Sequence, residues 1–299
     1  MTGLLDARSV FRSDRLSAAR NLAPSETAAW RAVARVLRSP LDALACALLP
    51  ADCRLCGTSL LRLSRVPVCD SCRETPLQSQ NLCPRCGEAL AYEGESETFC
   101  DPCRLVPPPF TQAVAWNLYQ GRARELVHLL KYDGLLALAH TLGRQVAQAT
   151  QLLDNLPQEF TVTSVPLFAG KERSRGFNQA ALLSAGAIRP LRKLFPGHQI
   201  HLSERMLSRV RATESQAGLS PAERRRNLRG AFFVPKPQAV RERHILLVDD
   251  IYTTGATARA CSEALLKAGA LSVRVVTLSR AQHEMTAQWE EWQEAAAVY

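Results

Sequence analysis

Between residues 111 and 280 the chain alternates short, near-continuous apolar runs with longer stretches in which apolar positions recur every three or four residues. Runs of the first kind are strands buried on both faces, and stretches of the second kind are helices with one buried stripe. The pattern predicts strands over 113–119, 160–167, 230–234, 244–248 and 272–279, and helices over 123–131, 136–153, 178–194 and 256–268. Such alternation predicts an α/β fold, a central and mostly parallel sheet with helices on both faces. Ahead of it, Pro107, Pro108 and Pro109 fix three φ angles in succession and make a stiff, extended linker. The linker separates a small Cys-rich module at 46–106 from the α/β domain at 110–282. Residues 1–45 have helical potential around 26–37 but few core positions, and are expected to form a partly helical or disordered extension. In the tail at 283–299, residues 283–294 read as a short, charged, amphipathic helix.

Eight of the ten cysteines lie between residues 51 and 103, in pairs with two residues between members: Cys53/Cys56, Cys69/Cys72, Cys83/Cys86 and Cys100/Cys103. Two thiolates so spaced on a tight turn point at one ion, and two such turns complete a tetrahedral zinc shell. The arrangement repeats: Gly57 and Gly87 each follow one pair, as a knuckle turn requiring positive φ demands, and a pair without glycine comes 12 or 13 residues later. The simplest reading is two zinc ribbons in tandem, holding one or two structural ions. Sequential pairing and interleaved pairing fit the same spacings. Disulfides are one alternative, but they suit an oxidising compartment and the charged N-terminus does not read as an export signal. An iron–sulfur cluster is another. A closed four-sulfur shell leaves no position for a substrate, so the zinc would be structural. Cys46 and Cys261 stand outside the pattern, and Cys261, in a helical apolar stripe, reads as packing.

Residues 244–257 read HILLVDDIYTTGAT. A buried strand delivers Asp249 and Asp250 at its C-terminal end, and a hydroxyl-rich turn with Gly255 then opens a helix at Ala256. That is where open parallel sheets bind ligands. Backbone N–H groups at the helix start face a phosphate, Thr253, Thr254 and Thr257 can add hydroxyl donors, and Gly255 lets the backbone approach closely. The two carboxylates are then placed to accept hydrogen bonds from sugar hydroxyls. The competing reading makes the carboxylates a helix N-terminal charge and the threonines its cap.

This run resembles the signature of type I phosphoribosyltransferases that binds phosphoribosyl pyrophosphate (PRPP). The resemblance implies that Asp249 and Asp250 hold the ribose 2- and 3-hydroxyls, that Thr253, Thr254, Gly255, Ala256 and Thr257 wrap the 5-phosphate, and that magnesium bridges the hydroxyls and the pyrophosphate. Purine-salvage members usually carry a carboxylate where Thr253 stands, so classical purine salvage is disfavoured. Further along the chain come residues 129–134 (LLKYDG), 165–167 (VPL) and 173–179 (RSRGFNQ), then Arg211, Thr213, Gln216, Leu219, Arg224, Asn227 and Phe232. Together with the cysteine module these resemble the ComF/GntX family of competence-associated proteins over roughly residues 45–280. As a site, the loop after residue 167 would bring Lys171, Arg173 and Arg175 to a pyrophosphate, whose oxyanions suit arginine's fixed fork. Arg211, Gln216, Arg224 and Asn227 would belong to a flexible loop that orders over PRPP. Lys131 ends an amphipathic helix, where a cation also favours the helix C-terminus.

Net charge is +9 with a pI near 9.3, which favours polyanionic partners. Residues 203–243 carry ten Arg or Lys against four Glu, with Arg224, Arg225 and Arg226 consecutive. Aromatic residues are only 6% of the chain, so contacts to single-stranded DNA would rest on backbone charge more than stacking. No apolar run is long enough to span a membrane, and the chain is expected to be soluble and cytoplasmic. The resemblance implies a PRPP-binding protein that handles single-stranded DNA with the uptake machinery. A metabolic phosphoribosyltransferase with a small base or amide acceptor, and a non-catalytic PRPP sensor, stay open beside it; neither catalysis nor oligomeric state follows from the residues alone.

Overall fold

The computed structural model describes residues 51–60, 66–77, 81–90, 99–210, 228 and 230–282. The expected features at 1–45, 211–227 and 283–299 lie outside these residues. Two compact units divide the chain, one ending at Pro67 and the other beginning at Val68. In the first, β1 (Ala51–Asp52) and β2 (Ser59–Leu60) pair antiparallel.

The second unit opens with two short helices, α1 (Asp70–Arg73) and α2 (Asp101–Leu105). There follow β3 (Gln112–Leu118), α3 (Gly121–Lys131), α4 (Leu138–Ala149), β4 (Glu159–Ser164), α5 (Ala169–Arg175), α6 (Gln179–Leu194), β5 (Gln199–Leu202), β6 (Ser208–Arg209) and β7 (Phe232–Phe233). The last elements are β8 (His244–Tyr252), α7 (Ala256–Lys267) and β9 (Ser272–Arg280). Five strands make one sheet in the order β3-β9-β8-β4-β5, and every adjacent pair is parallel. The α/β architecture expected from the apolar pattern is the one observed.

Successive strand residues point to opposite faces. Ile245 and Leu247 of β8 and Val273 and Val275 of β9 join Cys261 and Leu265 of α7 in one buried cluster. The intervening Leu246, Val248 and Val276 are equally buried, on the face where α4 and α6 pack against the sheet. Those two helices meet at glycines: a Cβ on Gly143 would lie 2.6 Å from the Gly186 carbonyl carbon, so the backbones touch.

Three elements differ from the expectation. The strand foreseen at 244–248 continues to Tyr252, because Ile251 and Tyr252 stay in register with Ser279 and Arg280 of β9. The loop expected after residue 167 is the helix α5, closed by Gly176 at φ 83°. The strand foreseen at 230–234 shrinks to β7, which pairs only with β6 and stands outside the main sheet.

Candidate sugar-phosphate site and cysteine tetrads

The C-terminal end of β8 sits at the centre of the sheet, flanked by β9 and β4. Both carboxylates belong to the strand itself. Asp250 is 5% exposed, and its amide donates to Asp249 Oδ1 at 2.9 Å. Burial, and next the adjacent Asp250 charge, push the Asp249 carboxyl up to about 8. Beyond Tyr252 the chain turns through Thr253 and Thr254 to Gly255, the N-cap of α7, at φ 75°. A Cβ there would sit 2.2 Å from the Tyr252 phenol oxygen, so only glycine fits the turn. Gly255 has no side chain to cap the helix, and its first turn carries no acid. The reading of the carboxylates as helix N-terminal charges therefore fails, although Thr254 Oγ1 does accept from the Ala256 amide at 3.4 Å. The first amides of a helix have no preceding carbonyl to bond, which leaves them directed at an anion. Asp249, Thr253, Gly255 and Thr257 line one small recess together with Val165 and Tyr252.

Cations converge on this end of the sheet. Lys131 Nζ lies 2.6 Å from Asp250 Oδ2, as close charges rather than an aligned hydrogen bond. Burial opposes the Lys131 ammonium, but the Asp250 carboxylate more than offsets it and holds the Lys131 pKa above its ordinary value. Lys171 shifts the other way, through burial and then the like charges of Arg175, Arg209 and Lys131. Arg209 of β6 is held below its usual range by burial, against the opposing pull of Cys261 and Asp249. Arg175 Nη1 donates to Gln179 Oε1 at 2.7 Å, and its guanidinium lies 5.4 Å from the ring centroid of the exposed Tyr132. Arg173 is exposed on the same helix. Arg211, Gln216, Arg224 and Asn227 lie outside the described residues. Sequence reasoning left Lys131 between the motif at 129–134 and a helix-terminal role, and overlooked Arg209. Lys131 could have been found as the one cation in the 129–134 motif, whereas nothing local marks Arg209.

The thiols sort sequentially. Cys83, Cys86, Cys100 and Cys103 have sulfurs within 4.8 Å of one another, and so do Cys53, Cys56, Cys69 and Cys72. Interleaved pairing is thereby excluded. Each tetrad combines a knuckle with a helix start. Gly57 and Gly87 close the knuckles, donating to the Cys53 and Cys83 carbonyls at 2.9 and 2.8 Å. Cys69 and Cys100 are the N-caps of α1 and α2, with Cys72 and Cys103 in the first turns. A tetrahedral shell with zinc–sulfur bonds of about 2.3 Å has S···S edges of about 3.8 Å, and Cys86 and Cys100 stand 3.5 Å apart. Contacts among these four thiols lower the pKa of Cys83 and Cys86 and raise that of Cys100 and Cys103. Both sets of four could hold a zinc ion. Cys261 is fully buried in α7, as packing requires. Among the described residues, no helix is long and apolar enough to cross a membrane.

No protein-family model matches the chain. The DNA utilization protein YhgH of Salmonella typhi is 34% identical over 236 residues, which are 77% of this chain and 97% of that protein. Competence protein F of Haemophilus influenzae is 30% identical over 228 residues, 74% of this chain and 93% of the other. Among solved structures, glutamine PRPP amidotransferase from B. subtilis, complexed with ADP and GMP, is similar with a TM-score of 0.31 and 18% identity, over 55% of this chain and 34% of that one.

Proposed function

This chain belongs to the ComF family, and on that premise we propose that it binds PRPP on the end of β8 and acts on incoming single-stranded DNA during natural transformation, at the cytoplasmic face of the uptake machinery. One observation carries the ligand: two adjacent carboxylates at the C-terminal end of a central parallel strand precede a glycine-capped helix start. Asp249 and Asp250 accept hydrogen bonds from the ribose 2- and 3-hydroxyls. Thr253, Thr254, Gly255, Ala256 and Thr257 surround the 5-phosphate. Lys171, Arg173 and Arg175 face the pyrophosphate, and Arg211, Gln216, Arg224 and Asn227 belong to the loop that covers it. Asp249 and Asp250 lie where magnesium bound with PRPP would be held, and the ion would supply charge neutralisation for the pyrophosphate leaving group. Lys131 neutralises Asp250 in the free protein. Any transfer of the ribosyl 5-phosphate passes through an oxocarbenium-like state, which the carboxylates stabilise electrostatically.

Calorimetry with PRPP and magnesium tests the site. Asp249→Asn with Asp250→Asn should abolish PRPP binding, and unchanged affinity in that variant would remove the proposal. Pyrophosphate release with single-stranded DNA, with free bases and with neither separates a DNA-directed protein from a metabolic phosphoribosyltransferase. Tight binding without turnover identifies a sensor.

A further inference from the structure

The second cysteine tetrad shares a buried cluster with residues of the proposed sugar-phosphate site, and two arginines make the connection. Arg280, the last residue of β9, is 3% exposed. Its Nη1 donates to the Cys86 carbonyl at 2.6 Å, its Nη2 lies 3.8 Å from Cys86 Sγ, and it forms an ion pair with Glu88. The same guanidinium lies 4.4 Å from the ring centroid of Tyr252, and the Tyr252 phenol packs on Gly255 so tightly that a Cβ would overlap it. The chain of contacts from thiolate to phosphate loop is thus Cys86, Arg280, Tyr252, Gly255. Arg259, in the first turns of α7, donates to the carbonyls of Val106 and Pro107 at 2.7 and 3.1 Å, just past Cys103. Phe110 meets the Tyr252 ring edge-on at 6.4 Å. All four cysteines share one buried cluster with Tyr252, Ala256, Ala258 and Cys261.

We propose that Arg280, supported by Arg259, is a positioning residue through which the Cys83/Cys86/Cys100/Cys103 site holds Tyr252 beneath Gly255, so that metal occupancy of the tetrad and sugar-phosphate binding are thermodynamically linked. The tetrad fits zinc by its donor set and its S···S separation. With the ion bound, the Cys86 thiolate and carbonyl have a fixed place, and Arg280 is anchored on both. When the ion leaves, no bond holds the four sulfurs together. Arg280 then loses two of its acceptors, and the Tyr252 ring loses the cation that fixes it. The phosphate loop needs its amides in place before the anion arrives, so a loosened Tyr252 lowers affinity for the ligand. Reciprocity follows: whatever factor zinc adds to ligand affinity, the ligand must add to zinc affinity.

This inference rests on the proposed PRPP site and is tested with PRPP and magnesium on the full chain. In a chain carrying Cys53→Ser and Cys56→Ser, the second tetrad alone reports zinc, by equilibrium competition with a chelating dye. Saturating PRPP should raise zinc affinity by at least about fivefold, within the ordinary range of coupled sites. A ratio of one, with PRPP still bound, overturns the linkage and leaves the PRPP site standing; no PRPP binding by the zinc-loaded wild type removes that site instead. Because Arg280→Met alone strands the half-buried Glu88 without its counter-charge, it is paired with Glu88→Gln. Tyr252→Phe is the milder variant, which keeps the ring but withdraws the oxygen from Gly255. Zinc-loaded, both variants should keep their metal, lose about tenfold or more in PRPP affinity, and lose the ligand's effect on zinc. PRPP affinity within twofold of wild type in both would overturn the assignment of Arg280.

Discussion

Asp250 is the most constrained residue of the site, because its buried carboxylate has Lys131 as a close counter-charge. Removing one member of a buried pair leaves the other uncompensated and costs about 3 kcal/mol. Lys131→Met should lower stability by about that amount, and adding Asp250→Asn should restore most of it in a denaturant double-mutant cycle. Asp249 gives a separate test in pH. Its carboxyl titrates near 8 when folded and near 3.9 when unfolded, so folding takes up a proton. Stability from this residue is full below about pH 4, falls as pH rises toward 8, and is level above that. In Asp249→Asn that decline should vanish from the thermal midpoints; an unchanged slope would mean that another group causes it. The residues in this pair were unequally legible. Two acids after four apolar residues announce themselves, whereas Lys131 at a helix end has a local explanation that hides its partner 119 positions away. Arg280 was hidden in the same manner, since an arginine after an apolar strand reads as solvent charge.

At the scale of elements, β8 was legible through residue 248 because its apolar run is continuous, and its remainder was not because Asp249 and Asp250 break the run. Only pairing with β9 reveals the full strand. The helix α5 escaped notice since it has seven residues and none buried, so it offers no periodicity to read. β5 escaped for a similar reason: it is a four-residue edge strand with only Ile200 buried. The contact between α4 and α6 was also unreadable, because Gly143 and Gly186 are 43 residues apart and each alone is merely a poor helix former. Their spacing across the interface is nonetheless severe. Gly143→Ala must force the backbones apart and should destabilise by roughly 1–3 kcal/mol, despite alanine's better helix propensity. A denaturation midpoint equal to or above wild type would show that the helices have room to spare.

On the whole-molecule scale the fold class and the pairing of neighbouring cysteines were readable because both rest on repetition, alternating elements in one case and equal spacings in the other. Which pairs share one ion was not, since sequential and interleaved sets have the same spacings and only the folded chain brings the sulfurs together. The proposed DNA contact is different, since charge alone suggests it. Arg224, Arg225 and Arg226 add three positive charges in a row. Replacing all three with Ala should weaken single-stranded DNA binding and flatten the log–log salt slope by about 2, at about 0.7 for each phosphate that is no longer neutralised. Binding measured from low to physiological salt decides it, and an unaltered slope moves the DNA elsewhere on the protein.

The strand order carries a consequence for synthesis. β3 touches the main sheet only through β9, which slots between it and β8. As the polypeptide leaves the ribosome, residues 112–118 must therefore wait, unpaired, until position 280 has emerged. Arg280 arrives at that same moment, so the second cysteine tetrad, made long before it, obtains its inner support last. A nascent chain stalled short of the final strand would expose the first strand of its main sheet to strangers, and the cell would meet this protein as a client of chaperones before it met it as a finished molecule.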